Sequence, residues 1–318
     1  MKILVTGACG FVGANTMSVL LDQGFDMTGT DFEPAVRLRK DILESLGCGS
    51  VSIAIADLTE VESWKKLLIE IKPDVILHLA GFTSRGNSPD AWKKCWESNP
   101  CTVASFIEAA VNFPEDERPA FICPGTQMEY GTAPMPWKES SACFPSSAYG
   151  ASKLASTVLV EAAVRSGILK GCVLRFPLLF GRGQAPTMFV PELLVRALRG
   201  EPFKMTEGRQ KRRYIFVEDA AKQMLEIASR LTEGETLPAI INAPSLTPVR
   251  MVDVAHRIVE SVGSDISLGI GELPGRSGEL EEAWPDDSLA RELGFRTYTS
   301  FEEALTKTVS WYRQNFSR

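Results

Sequence analysis

Tyr149 and Lys153 stand four residues apart in Tyr149-Gly150-Ala151-Ser152-Lys153, at the opening of a stretch with helical character. That spacing is about one helical turn, so phenol and ammonium share a face. A free phenol has a pKa of about 10, too high for a ready base at neutral pH. A nearby ammonium favours the phenolate, as does any positively charged ring bound beside it. Such a tyrosine gives or takes a hydroxyl proton while hydride moves at the adjacent carbon. Thr126 is predicted just beyond an apolar run at Ala120–Cys123, where its hydroxyl can hold the same substrate oxygen.

Hydride transfer needs a carrier, and the amino-terminal segment offers a place for one. Gly7, Gly10 and Gly13 sit in Thr6-Gly7-Ala8-Cys9-Gly10-Phe11-Val12-Gly13, after an apolar run at Lys2–Thr6 and before a helix predicted over Phe11–Gln23. Glycine permits the tight turn, the approach of backbone to a pyrophosphate and close packing of helix on strand. The helix N-terminus adds free N–H groups and partial positive charge. Asp31 ends a second strand, 18 residues past Gly13. A carboxylate there accepts hydrogen bonds from both adenosine ribose hydroxyls and repels a 2′-phosphate, which predicts NAD rather than NADP. Asp57 follows a third strand. It fits a contact to an adenine amino group and an N-cap for a helix from Glu60 equally well.

The elements that must position these residues alternate. Strands are predicted at Lys2–Thr6, Asp26–Thr30, Val51–Ala56, Asp74–Leu79 and Ala120–Cys123, with helices over Phe11–Gln23, Ala35–Leu46, Glu60–Ile71 and Pro89–Phe113. Strand–helix alternation predicts an α/β fold: a Rossmann-like, doubly wound parallel sheet covered on both faces. After about residue 176 the rhythm changes to a helix at Val190–Arg199, a basic loop at Gly208–Arg213, an amphipathic helix in Val249–Val262 and a closing helix at Phe301–Asn315. We therefore expect a dinucleotide-binding domain over residues 1–176, with the Tyr/Lys pair, and a smaller α/β substrate lobe, mainly 177–318 and interleaved with the first. The cleft between them is the expected site.

Composition narrows the classes. The chain has 318 residues, 34 Lys+Arg against 40 Asp+Glu and a formal net charge of −6, which disfavours non-specific nucleic-acid binding. No apolar run reaches the ~18 residues of a membrane span. Met1-Lys2 runs directly into Ile3-Leu4-Val5, leaving no room for a signal peptide, so a cytoplasmic protein is expected. The seven cysteines form no CxxC pair, and the two histidines, His78 and His256, are too few for a histidine-rich metal site or a Ser-His-Asp triad. Free thiols and no metal are expected. His78 is read as packed at its strand end and His256 as exposed.

With these residues in place, the sequence resembles the extended short-chain dehydrogenases/reductases, in their nucleotide-sugar epimerase/dehydratase branch. The resemblance runs nearly end to end. It rests on TGxxGxxG at Thr6–Gly13, the strand-end Asp31, Asp57-Leu58, HxAG at His78–Gly81, Asn99, the Thr126–Gly131 segment and YxxxK at Tyr149–Lys153. It continues in Arg175-Phe176-Pro177, a GPGQ-like turn at Gly181–Gln184, Arg212–Asp219 and Arg276-Ser277-Gly278-Glu279. The resemblance implies Thr126, Tyr149 and Lys153 as catalytic. It implies NAD contacts from Gly7, Gly10, Phe11, Val12, Gly13, Asp31, Asp57 and Leu58, then from Leu79, Ala80, Gly81, Asn99, Tyr149, Lys153 and Phe176. On the substrate side it implies Thr83, Ser84, Gln127, Leu178, Arg182, Arg212, Arg213 and Arg276. Leu178 stands where the family has asparagine, Arg213 where it has aspartate and Arg182 where it has proline, so extra arginines are expected to hold the substrate diphosphate.

The reaction follows from the residues after Thr126. A 4,6-dehydratase of this branch carries Asp-Glu there, because elimination of water needs an acid and a base. Gln127 and Met128 supply neither. Glu129-Tyr130-Gly131 instead resembles the segment of 4-keto-6-deoxy sugar reductases. A nucleotide-sugar 4-ketoreductase is the first expectation, a 4-epimerase the second, and a dinucleotide sensor without catalysis the third. The intact Thr126, Tyr149 and Lys153 weigh against the sensor. The resemblance further implies a homodimer built on Pro89–Phe113 and Ser146–Ser166.

Overall fold

The structure is a computed structural model that describes residues 1–84, 86–275 and 280–316. The first half runs β1 (Lys2–Thr6), α1 (Phe11–Asp22), β2 (Asp26–Asp31), α2 (Glu33–Leu38), α3 (Lys40–Ser45), β3 (Ile53–Ile55), α4 (Val61–Ile71), β4 (Val75–His78), α5 (Pro89–Trp96), α6 (Thr102–Ala110), β5 (Ala120–Thr126), α7 (Ala148–Arg165) and β6 (Gly171–Phe176). The second half runs β7 (Leu178–Phe180), α8 (Phe189–Arg199), β8 (Phe203–Met205), β9 (Lys211–Arg212), β10 (Tyr214–Phe216), α9 (Val217–Thr232), β11 (Ile240–Asn242), β12 (Val249–Arg250), α10 (Met251–Val262), β13 (Leu268–Ile270), β14 (Glu282–Ala283), α11 (Ser288–Glu292) and α12 (Phe301–Phe316).

Seven parallel strands form the central sheet in the order β3-β2-β1-β4-β5-β6-β11. Alternation within each strand sorts its residues between two cores. Ile3, Val5, Val75, Leu77 and Ile122 enter one, with Met17 and Leu20 of α1 and Met224 and Ile227 of α9. Leu4, Ile76, Phe121 and Cys123 enter the other, with Trp64 of α4, Phe106 of α6 and Val160 of α7. Helices cover both faces, which is why β1 and β4 read as unbroken apolar runs. The expected doubly wound α/β sheet is the one observed.

Several boundaries differ from the sequence expectation. The helix expected over Ala35–Leu46 is two short helices, α2 and α3, meeting at Arg39. The helix expected over Pro89–Phe113 contains a π-turn at Glu97–Cys101 around Pro100, which has no N–H for the regular ladder. The strand expected to end at Cys123 runs on to Thr126, because β6 pairs with it residue by residue as far as Thr126 opposite Phe176. Thr126 is thus the last residue of its strand. The basic Gly208–Arg213 loop contains the short strand β9, paired with β12 and β14.

Beyond residue 176 the chain also serves the first layer. β11 returns to pair with β6, and α9 shares a core with α1. The remaining short strands form small sheets, β7 with β10 and β8 with β13. On α10, Val254, Ala255 and Ile258 are buried while His256 is exposed. All seven cysteines are unpaired. No helix among the described residues is long and apolar enough to cross a membrane.

Trp64 is fully buried, packs against Phe106 at 5.0 Å between ring centroids, and donates its indole N–H to the Leu58 carbonyl at 2.9 Å. Trp64→Ala leaves a large cavity and an unpaired carbonyl. It is expected to lower the unfolding free energy by about 3–5 kcal/mol in denaturant titration.

Candidate active site

The strand order reverses between β1 and β4, so a crevice opens at their carboxyl ends. Gly7 adopts φ +62°, and a Cβ there would lie 2.6 Å from the Ala80 nitrogen and the Leu79 oxygen. A Cβ on Gly13 would lie 2.1 Å from the Gly7 oxygen. Gly10 caps α1 without a side chain, and the first turn of α1 holds no acidic residue. Phe11, Val12 and Gly13 occupy that first turn, where N–H groups have no intrahelical acceptor. This makes a cradle for an anion.

Asp31 extends the cradle. Its Oδ2 accepts from the Cys9 N–H and its Oδ1 from the Phe32 N–H, each at 2.9 Å. A carboxylate oxygen can accept more than one hydrogen bond, and the Cys9 thiol also bonds this carboxylate. Burial raises the Asp31 pKa above the usual carboxylate range, against the pull of those two N–H bonds and of Arg39. The Arg39 guanidinium is fixed nearby, donating to the Cys9 carbonyl at 3.2 Å. Asp57 does not cap α4: Glu60 holds that place, while Asp57 accepts from the N–H and hydroxyl of Thr59 at 3.0 and 2.7 Å. A local turn within Asp57–Thr59 competes successfully with helix capping. Leu58 is buried in the second core.

At the end of β4, His78 lies between two hydroxyls, 3.0 Å from Thr6 Oγ1 and 3.1 Å from Thr102 Oγ1. Burial, and secondarily the charge of Lys153, lowers its pKa to about 3, so it stays neutral and structural. Thr6 Oγ1 also accepts from the Ala80 N–H at 3.0 Å. Asn99, expected at the cofactor, is buried with its side chain hydrogen-bonded inside the protein. Its Oδ1 accepts from the Phe82 N–H at 3.0 Å, and its amide donates to the Phe82 carbonyl at 3.1 Å and to Ser152 Oγ at 2.8 Å. Gly81 is required by that tie, since a Cβ would lie 2.6 Å from Asn99 Oδ1. Thr83 is exposed, and Ser84 bonds locally with Gly86.

α7 is capped by Ser147, whose side chain accepts from the Gly150 N–H at 3.1 Å. Tyr149 is half-buried in its first turn and Lys153 is buried one turn on. Gly150 sets the approach of the helix to the strand end: a Cβ there would lie 2.4 Å from the Met128 carbonyl. Sequence analysis assigned this glycine no role. Thr126 caps the short 3₁₀ turn Gln127–Glu129, its hydroxyl accepting from the Met128 N–H at 3.3 Å. Gln127 is buried and its amide oxygen has no hydrogen-bond partner among the described residues, while Met128 is exposed.

Glu129 and Tyr130, expected as a mark of reductases, lie in a buried network instead. Glu129 is fully buried and accepts from the Thr126 N–H at 2.7 Å, Thr157 Oγ1 at 2.9 Å and Arg175 Nε at 2.7 Å. Arg175 also donates to the Tyr130 hydroxyl at 3.0 Å, which donates to Asn242 Oδ1 at 2.7 Å. Burial works against the Arg175 charge, but Glu129, Tyr130 and Cys143 together outweigh it and raise the Arg175 pKa. Sequence reasoning named Arg175 only within a motif, without a role, and passed over Thr157 and Asn242. The visible signal was a charged residue inside an otherwise apolar strand.

The substrate-side arginines have partners. Arg182 pairs with Glu218 at 2.8 Å and Arg213 with Asp287 at 2.8 Å. Arg212 donates to the Lys211 and Glu281 carbonyls at 2.7 and 3.3 Å. Arg276 lies outside the described residues, with Ser277, Gly278 and Glu279. Leu178 is half-buried against the larger core and Phe176 is buried within it. A depression of about 820 Å³ opens at the amino ends of the strands, lined by Lys72, Asp74 and Lys170 among others, and holds none of these residues.

The profile of the NAD dependent epimerase/dehydratase family matches residues 3–243. The chain belongs to this family. It is an enzyme of the short-chain dehydrogenase/reductase type and its cofactor is NAD. It is 27% identical over 321 residues, 99% of this chain and 47% of the relative, to a trifunctional UDP-glucose 4,6-dehydratase/UDP-4-keto-6-deoxy-D-glucose 3,5-epimerase/UDP-4-keto-L-rhamnose-reductase of Arabidopsis thaliana. The chain thus spans about half the length of that plant relative. It is 25% identical over 343 residues to the dTDP-glucose 4,6-dehydratase of Shigella flexneri, covering 99% of this chain and 93% of that one. The fold matches a UDP-glucuronic acid 4-epimerase from Bacillus cereus, solved with UDP-glucuronic acid and NAD, with a TM-score of 0.85, 24% identity and 99% coverage of both chains.

NAD fits the cradle. The glycines at 7, 10 and 13 let the turn close tightly, so the backbone N–H groups at the start of α1 can meet a pyrophosphate, and the Asp31 carboxylate can accept from ribose hydroxyls. Protonation removes the charge and turns one carboxylate oxygen into a donor, so this contribution to NAD affinity is present above the Asp31 pKa and lost as pH falls through it. Because that pKa is raised, the loss is expected to begin at higher pH than for an ordinary carboxylate of about 3.9. Calorimetric titration of NAD across acidic pH checks this: Asp31→Asn is expected to bind more weakly and with a flatter pH dependence. At neutral pH the unaltered protein is expected to bind NAD more tightly than NADP.

Proposed function

We propose that this family member is an NAD(H)-dependent ketoreductase acting at C4 of a nucleotide-linked 4-keto-6-deoxy sugar. The observation that carries the reading is the pair after Thr126. Gln127 presents a buried amide oxygen without a partner among the described residues, and Met128 is exposed thioether. Gln127 is suited to accept a hydrogen bond from a sugar hydroxyl, but neither residue titrates near neutral pH. Removal of water across C5–C6 has no acid and base here, whereas the groups for hydride chemistry are all present.

NAD supplies the hydride acceptor or, when reduced, the donor. In the proposed reaction Thr126 Oγ1 holds the C4 oxygen, and the Tyr149 hydroxyl delivers a proton to it as the carbonyl is reduced. Lys153 stabilises the phenolate left behind. The sugar lies near Thr83, Ser84 and Gln127. Arg182, Arg212, Arg213 and Arg276 are assigned to the diphosphate, as forked N–H donors. With Glu218 and Asp287 already balancing Arg182 and Arg213, those two contribute direction more than net charge. A UDP-4-keto-L-rhamnose-reductase activity in the name of the plant relative supports the class. We further propose a cytoplasmic homodimer. Exposed Trp92 and Trp96 on α5 and Val158 on α7 form apolar surface suited to a second copy.

The test is incubation with NADH and a panel of nucleotide 4-keto-6-deoxyhexoses and unmodified nucleotide hexoses, with products followed by mass. NADH oxidation matched to ketosugar reduction is the expected result. Interconversion of unmodified hexoses without net cofactor consumption would make the protein a 4-epimerase. Loss of water from a hexose would overturn the argument from Gln127 and Met128. NADH binding with no turnover on any member would make it a sensor. Tyr149→Phe is expected to cut kcat by about 10²–10⁴-fold while cofactor affinity changes little.

A further inference from the structure

The Glu129 carboxylate touches the three parts of the chain that the proposed chemistry must hold in register. Its Oε1 accepts from the backbone N–H of Thr126, at the end of β5. Its Oε2 accepts from Thr157, one turn beyond Lys153 on α7. The same oxygen accepts from Arg175 on β6, at 2.7 Å. Glu129 is 0% exposed and Arg175 is 2% exposed. In the low-dielectric interior a charge-assisted bond of this kind is directional and strong, and a carboxylate with three donors has little freedom to shift.

The chain makes room for this arrangement. Gly125, immediately before Thr126, would carry a Cβ 2.8 Å from Glu129 Oε1 and 2.7 Å from Arg175 Cγ. Any side chain there would push the pair apart. An ordinary surface turn would close with the local capping bonds alone. Here the capping carboxylate is also bound to α7 and β6, which a cap does not need.

We propose that Glu129 is a positioning residue for the reaction. Locked by Arg175, it fixes Thr126 relative to the helix face that carries Tyr149 and Lys153. The proposal rests on the assignment of Thr126 and Tyr149 to the substrate oxygen. Geometry errors of about 1 Å at such centres cost about 10²-fold in rate. Glu129 is remote from the adenosine cradle, so its effect falls on kcat and leaves NADH affinity alone.

The experiment compares Glu129→Gln, Thr126→Ala and the double variant. It reads kcat and KM with NADH and the ketosugar turned over by the unaltered enzyme, NADH affinity by fluorescence, and the thermal midpoint. Glu129→Gln is expected to lower kcat roughly 10–100-fold per NADH-binding protomer, with KM and NADH affinity within about threefold. In the double variant it is expected to add little to the loss from Thr126→Ala, because it acts through that residue. A lower thermal midpoint with unchanged kcat per binding-competent protomer would make Glu129 merely structural and overturn the proposal, as would fully additive losses. Should Glu129→Gln fail to fold, Thr157→Val decides. It cuts the tie to α7 while keeping the Arg175 pair, so a fall in kcat rescued by Thr157→Ser supports positioning, and an unchanged kcat overturns it. Full activity of Tyr149→Phe would instead overturn the catalytic assignment itself, independently of Glu129.

Discussion

The constraint on which the crevice depends is the packing of the glycine turn. The Gly7 backbone touches the Leu79–Ala80 backbone, and α1 sits on the Gly7 carbonyl at Gly13, at distances that leave no volume for a Cβ. These contacts bring the end of β1, the start of α1 and the end of β4 together. They also open the helix N-terminus toward the crevice. The surrounding polar side chains then fall into place: Thr6 against His78 and Ala80, His78 against Thr102, and Asn99 against Phe82 and Ser152. Through Ser152, whose hydroxyl also donates to the Tyr149 carbonyl, the cradle reaches α7, the helix that carries Tyr149 and Lys153.

Around this frame the polar interior divides by task. One set of buried groups is closed, each donor and acceptor paired inside the protein, as with His78, Asn99 and the Glu129–Arg175–Tyr130–Asn242 chain. A buried charge pair of this kind costs much to break, because the survivor is left without a partner. Another set keeps unused acceptor capacity among the described residues: the Asp31 carboxylate and the buried amide oxygen of Gln127.

The sequence by itself determined the strand–helix alternation, the sheet it implies, the glycine turn and the strand-end Asp31. All depend on local periodicity or on residue types whose backbone freedom is visible in one dimension. It also marked Thr126 and the Tyr149–Lys153 pair, because one helical turn fixes their relation without any tertiary knowledge. Tertiary structure decided where β5 ends, since pairing with β6 carries it past the apolar run to Thr126. It decided that α5 and α6 are separated by a π-turn at Pro100, and that β11 joins the first sheet from beyond residue 176. Above all it decided the work of Glu129, Tyr130, Asn99 and the arginines. Whether a polar side chain is spent on Arg175, Phe82, Glu218 or Asp287, or left open to a ligand, depends on neighbours distant in the chain. No spacing records that choice, because desolvation and hydrogen-bond pairing are set only when the two cores close.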